Sequence, residues 1–97
     1  MSGIATPLAN LTATGTFTIP SINGYTMIFL LAENSSGVVA EQVTTPSMVS
    51  NIQDTYYLRT TWANREAVIR ITFNSEISAT ISDKSSDITN LKIIGVK

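Results

Sequence analysis

The sequence predicts an all-β fold, namely a small antiparallel β-sandwich of jelly-roll-like type with about seven strands. Three observations support this prediction. Apolar and polar residues alternate with a period of two over several short stretches, as strands with one buried face require. Turn-forming residues separate these stretches at intervals of about ten residues. The chain shows little of the 3.6-residue periodicity that is typical of helices.

The first ten residues differ from the rest of the chain. Residues 1–10 are mostly small, include Pro7 and show no period, so we predict a lead-in or linker there. A chain of 97 residues has room for one core. Residues 11–97 are therefore predicted to form a single β-sandwich domain.

The first two predicted strands have different patterns. Residues 11–19 alternate threonine with Ala, Gly, Phe and Ile, which indicates a strand with one polar face. Pro20 ends this strand, and residues 21–24 form a turn because Asn and Gly tolerate positive φ. Residues 25–33 are almost continuously apolar but too few for a buried helix. We expect such a strand to be covered on both faces.

Five further strands complete the predicted fold. They are expected at residues 38–44, 55–61, 67–73, 77–82 and 88–97. The third and fourth of these form the clearest hairpin, because their alternating patterns flank a short turn. A single helical turn is predicted from Pro46 to Asn51, since Pro is tolerated at the first helical position.

The composition favours self-association. Only 13% of the residues are charged, against roughly 25% in an average domain. The chain also lacks the cysteines with which many small domains are stabilised. Part of its apolar surface is therefore expected to face another copy. The alternative is that the abundant Ser and Thr side chains solvate this surface.

Two classes of partner are not expected. The net charge is −1 and the six basic residues are scattered, whereas nucleic-acid binding usually requires a basic cluster. The longest apolar run, residues 27–32, is too short to cross a bilayer. We therefore predict neither nucleic-acid binding nor membrane insertion.

The residue types argue against catalysis. The chain has no His and no Cys, which are the most common general base and the most reactive nucleophile. Its seven acidic residues are interpreted as solvated carboxylates, because no spacing singles out a pair. Residues 83–87 offer oxygen ligands, but Lys84 places a cation among them, so we interpret them as a polar loop. We predict no enzyme activity, no metal site and no cofactor.

One group of side chains suits ligand recognition. Its members are Tyr56, Tyr57, Arg59, Trp62, Asn64 and Arg65. An indole presented at a loop can stack on the apolar face of a sugar ring, while Arg and Asn donate the hydrogen bonds that fix its orientation. The alternative is packing in the core or against a subunit, because the single Trp of a small domain is usually buried. In addition, one of two adjacent Tyr residues in a strand must point inward.

The C-terminal residues 88–97, ITNLKIIGVK, resemble the closing strand of phage tail-fibre, receptor-binding tip and head-fibre domains from viruses of Gram-positive and gut bacteria. Those strands often end in aliphatic-x-Gly-aliphatic-Lys, as here, although Ile94 stands where an aromatic residue is common. Residues 67–82 and 43–47 are also similar to these domains. The similarity covers about half of the chain, and no single motif in it is specific.

The resemblance implies a virion protein that forms a homotrimer at the distal end of a fibre and attaches to a host cell-surface saccharide. Its implied partners are copies of itself, other virion proteins and that host glycan. Two alternatives remain open. A structural capsid decoration or head-fibre protein would bind capsids and ignore sugars. A bacterial carbohydrate-binding module would be monomeric and bind free sugar through an exposed Trp.

Overall fold

Eight strands make up the described part of the chain, residues 4–46, 55–62 and 65–97 of a computed structural model. They are β1 (Ala5–Leu11), β2 (Gly15–Thr18), β3 (Met27–Asn34), β4 (Gly37–Thr44), β5 (Thr55–Trp62), β6 (Arg65–Ser75), β7 (Ser78–Lys84) and β8 (Asn90–Val96). The first sheet has the order β1-β8-β3-β4 and the second sheet the order β2-β7-β6-β5. All paired strands are antiparallel.

The two sheets pack their inner faces together as a β-sandwich, which confirms the predicted fold class. Fully buried side chains come from both sheets, such as Leu30 and Ile93 from the first and Ile71 and Phe73 from the second. The winding is jelly-roll-like near both chain ends. The chain passes from the first sheet to the second and back in β1, β2 and β3, and it passes from the second sheet to the first between β7 and β8. Burial of these apolar side chains is the main stabilising contribution.

The prediction of a lead-in over residues 1–10 is wrong for most of that range. Residues 5–11 form β1, which pairs with β8 at one edge of the first sheet. The register shifts between Pro7 and Ala9, so a bulge interrupts the period of two that would have revealed this strand. The domain therefore begins before residue 11, and its described residues form eight strands rather than the predicted seven or so.

The predicted strand at residues 11–19 is divided between two elements. β1 ends at Leu11, and β2 begins at Gly15 in the other sheet. Gly15 has a φ of 137°, a conformation that glycine adopts without strain. The threonine alternation therefore spans a crossing between sheets, and it describes a strand only within β2.

The other strand and turn predictions agree with the structure within about two residues at most ends. Gly24 has a φ of 93°, as the predicted turn of residues 21–24 requires, and Gly37, the first residue of β4, has a φ of 112°. All of the predicted helical turn except Pro46, namely residues 47–51, lies outside the described residues. Within the described ranges, no helix is long and apolar enough to cross a membrane.

The central strand β3 is covered by the chain itself on one face. Its inward side chains Ile28 and Leu30 are fully buried against the second sheet. Its outward side chains Phe29 and Leu31 are half-buried, and Met27 is 37% exposed. Among the described residues, the prediction of cover on both faces of this strand therefore holds for the inner face alone.

Candidate functional site

Polar side chains cover the outer face of the second sheet, which we call the hydroxyl face. It carries Thr16, Thr18, Thr55, Thr72, Ser78 and Thr80, together with Tyr57, Arg59 and Arg70. Direct cross-strand neighbours share one face of a sheet, and this rule aligns four of the threonines in a row across all four strands.

Hydrogen bonds between side chains order this row. The hydroxyls of Thr16 and Thr80 share a hydrogen bond of 2.9 Å, and those of Thr55 and Thr72 share one of 2.8 Å. Asn74 Nδ2 also donates to Thr80 Oγ1 at 2.8 Å. Cross-strand pairs of this kind contribute roughly 0.2–1 kcal/mol each. The hydroxyls therefore form an ordered array of donors and acceptors at the surface.

Tyr57 and Arg70 lie side by side on the hydroxyl face. They are direct neighbours on β5 and β6, and Cζ of Arg70 lies 5.4 Å from the centroid of the Tyr57 ring. A cation–π contact at an exposed site contributes about 0.5–1 kcal/mol and restrains the ring. Tyr57 is nevertheless 48% exposed, so part of its ring remains open to a ligand.

Arg59 lies two residues along β5 from Tyr57 and points to the same side. Its Nη1 lies 3.6 Å from Oε2 of Glu66, and both side chains are more than half exposed. An exposed pair of this kind contributes about 0–1 kcal/mol, so it can open easily. Arg59 can therefore donate hydrogen bonds to a polar ligand beside Tyr57.

Tyr56 points into the protein instead. It is half-buried, and its ring meets that of Phe73 edge-on at 6.2 Å and 78°. Its hydroxyl lies 2.5 Å from Oγ1 of the buried Thr44. The prediction that one of the two adjacent tyrosines points inward is confirmed, and Tyr56 belongs to the core side of the sheet.

Two of the remaining predicted site residues, Trp62 and Arg65, are the last residue of β5 and the first residue of β6. The backbones of Trp62 and Arg65 pair with each other there, five and eight positions along the chain from Tyr57. Asn64 and the side chains of Trp62 and Arg65 lie outside the described residues. Among the six predicted residues, the structure thus brings Tyr57 and Arg59 together on one surface and separates Tyr56 from them.

Sequence reasoning missed Arg70 and the threonine row as parts of this surface. The alternation of residues 67–73 already puts Arg70 and Thr72 on one face of a strand. However, the pairing of β5 with β6 is what brings Arg70 next to Tyr57. Sequence spacing could not reveal the row either, because its threonines come from four strands.

A second polar cluster lies on the outer face of the first sheet. Asn90 Nδ2 donates to Asn10 Oδ1 at 2.8 Å and to Glu33 Oε1 at 2.9 Å, and Lys92 Nζ lies 3.3 Å from the same carboxylate oxygen. The hydrogen bond from Asn90 and the charge of Lys92 lower the pKa of Glu33, against the opposing effect of desolvation. Glu33 is therefore a bonded member of the sheet rather than the solvated carboxylate predicted from the sequence.

Among the residues that the structure describes, no group of three or more His, Cys, Asp or Glu side chains could hold a metal ion. Lys84 is the last residue of β7, and its Nζ donates to the carbonyl oxygen of Ile88 in the following loop at 2.8 Å. This ammonium group therefore contributes to the local structure of the loop.

Comparison with known proteins finds no family model, curated protein or solved structure that matches this chain. What the chain binds must therefore be inferred from the chemistry of its own surface.

Proposed function

We propose that the chain is a non-enzymatic attachment domain of a virion fibre or tip, which assembles as a homo-oligomer and binds a host cell-surface saccharide through the hydroxyl face. The observation that carries the saccharide proposal is the half-exposed ring of Tyr57 among guanidinium and hydroxyl groups. The virion setting rests on the resemblance of residues 88–97, 67–82 and 43–47 to phage fibre domains.

The surface chemistry of the hydroxyl face supports a saccharide as ligand. The C–H face of a sugar ring can pack on an aromatic ring, and sugar hydroxyls can both donate and accept hydrogen bonds. Tyr57 offers the ring, Arg59 and Arg70 offer donors, and the threonine row offers groups that do both. A surface of this composition suits a polar, uncharged or acidic sugar better than an apolar ligand.

A glycan array probed with the full chain would test the proposal, followed by titration calorimetry on the best ligand. Tyr57→Ala should weaken binding at least about tenfold, which corresponds to about 1.4 kcal/mol. Tyr57→Phe is the matched control, because it keeps the ring, and its affinity should stay within about threefold of the parent chain. Tyr57→Phe should keep the parent melting temperature, whereas Tyr57→Ala should lower it by no more than about 8 °C, because it loses a cation–π contact that contributes about 0.5–1 kcal/mol.

Two results would contradict the saccharide proposal. One is that the array shows no binding to any glycan. The other is that Tyr57→Ala binds a glycan as tightly as the parent chain does. The fluorescence of the single tryptophan, Trp62, gives an additional readout, since the sequence predicts a sugar contact near it.

A second candidate function is favoured by a different observation. The outer face of the first sheet exposes Met27 and Val43, which would suit a structural virion protein that binds only capsid proteins and itself. Such a protein would sediment with purified capsids and show no signal on the glycan array. The two assays together separate the two candidates.

A further inference from the structure

We propose that the outer face of the first sheet is an interface between two copies of this chain, related by a two-fold axis that runs along β3. We call this surface the apolar face, and it comprises Met27, Phe29, Leu31, Val43, Ile94 and Val96. The inference specifies the self-assembly part of the proposed function and does not depend on the saccharide.

The apolar face is continuous across three strands. Phe29 on β3 has Ile94 on β8 and Val43 on β4 as its direct neighbours. Val43 is 39% exposed and Met27 is 37% exposed, although both are apolar. The almost continuous apolar sequence of β3 is typical of a strand that is buried on both faces. The second sheet covers one of those faces, and a second copy would cover the other.

Charges flank this face in a self-complementary way. Leu31 lies between Lys92 on β8 and Glu41 on β4, so the two charges stand on opposite sides of β3. A two-fold axis along β3 brings Lys92 opposite Glu41 of the second copy, and by symmetry the reverse. Glu41 is exposed and has no ion-pair partner among the described residues. Lys92, which already pairs with Glu33 of its own chain, would thus gain a second carboxylate partner, once on each side of the axis at the rim of the interface.

The same axis gives complementary shapes. It brings Val43 opposite Ile94 of the second copy and Phe29 opposite its own equivalent. A shallow, mainly apolar groove of about 280 Å³ lies on the β1–β8 side of the axis, lined by Pro7, Ala9 and Ile94 among others. The exposed side chains of β4 lie on the opposite side. A two-fold pairing therefore places the β4 side chains of each copy over the groove of the other.

The available area predicts weak, concentration-dependent association. Four strands about 4.8 Å apart, each with about seven residues rising about 3.3 Å, give a face of roughly 440 Å². Two such faces, treated as flat, bury roughly 900 Å². This buried area is above that of most crystal contacts but below that of a standard interface, about 1,200–2,000 Å². We therefore expect a dimer that dissociates on dilution.

Sedimentation equilibrium of the full chain between about 1 μM and 1 mM would test this interface. The mass should rise with concentration from 10.4 kDa towards twice that value. Val43→Lys should weaken the association at least about tenfold, because it buries an unpaired ammonium group against Ile94 of the second copy. Met27→Lys serves as a second variant on the same face, in case the first fails to fold. Circular dichroism melts would check folding of both.

A matched control and a test of register accompany these variants. Ile77→Lys introduces the same side chain at a residue that is 48% exposed in the β6–β7 turn, away from the apolar face, and should leave the association unchanged. Glu41→Lys should weaken the association several-fold, because it places two ammonium groups opposite each other in the two-fold arrangement.

Several results would overturn the interface. They are a single-chain mass at every concentration, a three-chain mass, or association that resists both Val43→Lys and Met27→Lys. Unchanged association of Glu41→Lys would overturn the two-fold register. A monomeric chain that still binds a glycan through Tyr57 would overturn this inference and leave the saccharide proposal intact. A two-chain mass without glycan binding would support this inference and contradict the saccharide proposal.

Discussion

At the scale of single residues, Gly95 explains part of the C-terminal sequence pattern. A β-carbon on this residue would lie 2.6 Å from Cδ1 and 2.7 Å from Cγ of Tyr25. The Tyr25 ring therefore packs directly on the backbone of β8, where a side chain would displace it. Lys97 lies two residues further along, with its Nζ 5.5 Å from the centroid of the same ring. Gly95 and Lys97 of the C-terminal Gly-x-Lys sequence thus both contact the ring of Tyr25.

Gly95→Ala should lower the free energy of unfolding by about 1–3 kcal/mol, because overpacking forces the Tyr25 ring and the strand to shift. Urea denaturation monitored by circular dichroism would measure this. In a Tyr25→Ala background the ring is absent, so the same substitution should cost less than about 0.5 kcal/mol. Independent sites are additive within about that limit, so a larger difference between the two backgrounds would show that residues 25 and 95 are coupled. An equal cost in both backgrounds would mean that the ring is not the obstacle.

Glu33 should make stability depend on pH. Its folded-state pKa is below the ordinary value of 4.5, chiefly because of the Asn90 hydrogen bond, so the unfolded chain binds the proton more readily. This contribution to stability is complete above pH 4.5 and is lost as the pH falls through the folded-state pKa. Nuclear magnetic resonance should give a carboxyl titration midpoint below 4.5, and Asn90→Ala should raise it. A midpoint at or above 4.5 in the parent chain would contradict the assignment.

At the scale of elements, the turn between β6 and β7 anchors the connection from β2 to β3. The carboxylate of Glu76 accepts hydrogen bonds from Ser21 Oγ at 3.1 Å and from Asn23 Nδ2. The carbonyl oxygen of Glu76 also accepts a hydrogen bond from the backbone N–H of Ile22 at 3.0 Å. Ile22 is completely buried, so these bonds hold a connection that closes one end of the core.

Glu76→Ala should lower the free energy of unfolding by about 1–2 kcal/mol, since it removes the acceptor of two side-chain hydrogen bonds. Glu76→Gln is the matched control and should cost less, because its amide oxygen still accepts one of them. Urea unfolding midpoints would compare the three proteins. If the Ala variant keeps the parent midpoint, the two side-chain bonds do not stabilise the connection.

At the scale of the whole molecule, the two outer faces of the sandwich differ in chemistry. One carries ordered hydroxyls with Tyr57 and Arg70, and the other carries an apolar strip around Phe29. A free monomer would expose both faces to water, at a cost of roughly 25 cal/mol for each Å² of apolar surface left uncovered. This difference is the basis of the two proposals, namely assembly through the apolar face and binding of a polar ligand by the hydroxyl face.

Local sequence was sufficient for most strands and turns. The alternation of residues 67–73 puts Ile69, Ile71 and Phe73 on one face of a strand, because the period of two depends only on neighbouring residues, and all three side chains are buried. The turn at Gly24 was predictable for the same reason, since positive φ is a local property. Strand β1 was not predictable from the local sequence, because its bulge removes the periodic pattern.

The sequence by itself determined the fold class, most strand positions and the inward side of each alternating strand, since these depend on local backbone preferences and on burial of apolar side chains. Tertiary structure alone decided which strands became neighbours. That pairing put Arg70 beside Tyr57, aligned four threonines from four strands, and placed Lys92 and Glu41 on either side of Leu31. Such neighbours are distant along the chain, and their contact depends on strand order and register, which are properties of the sheets as a whole.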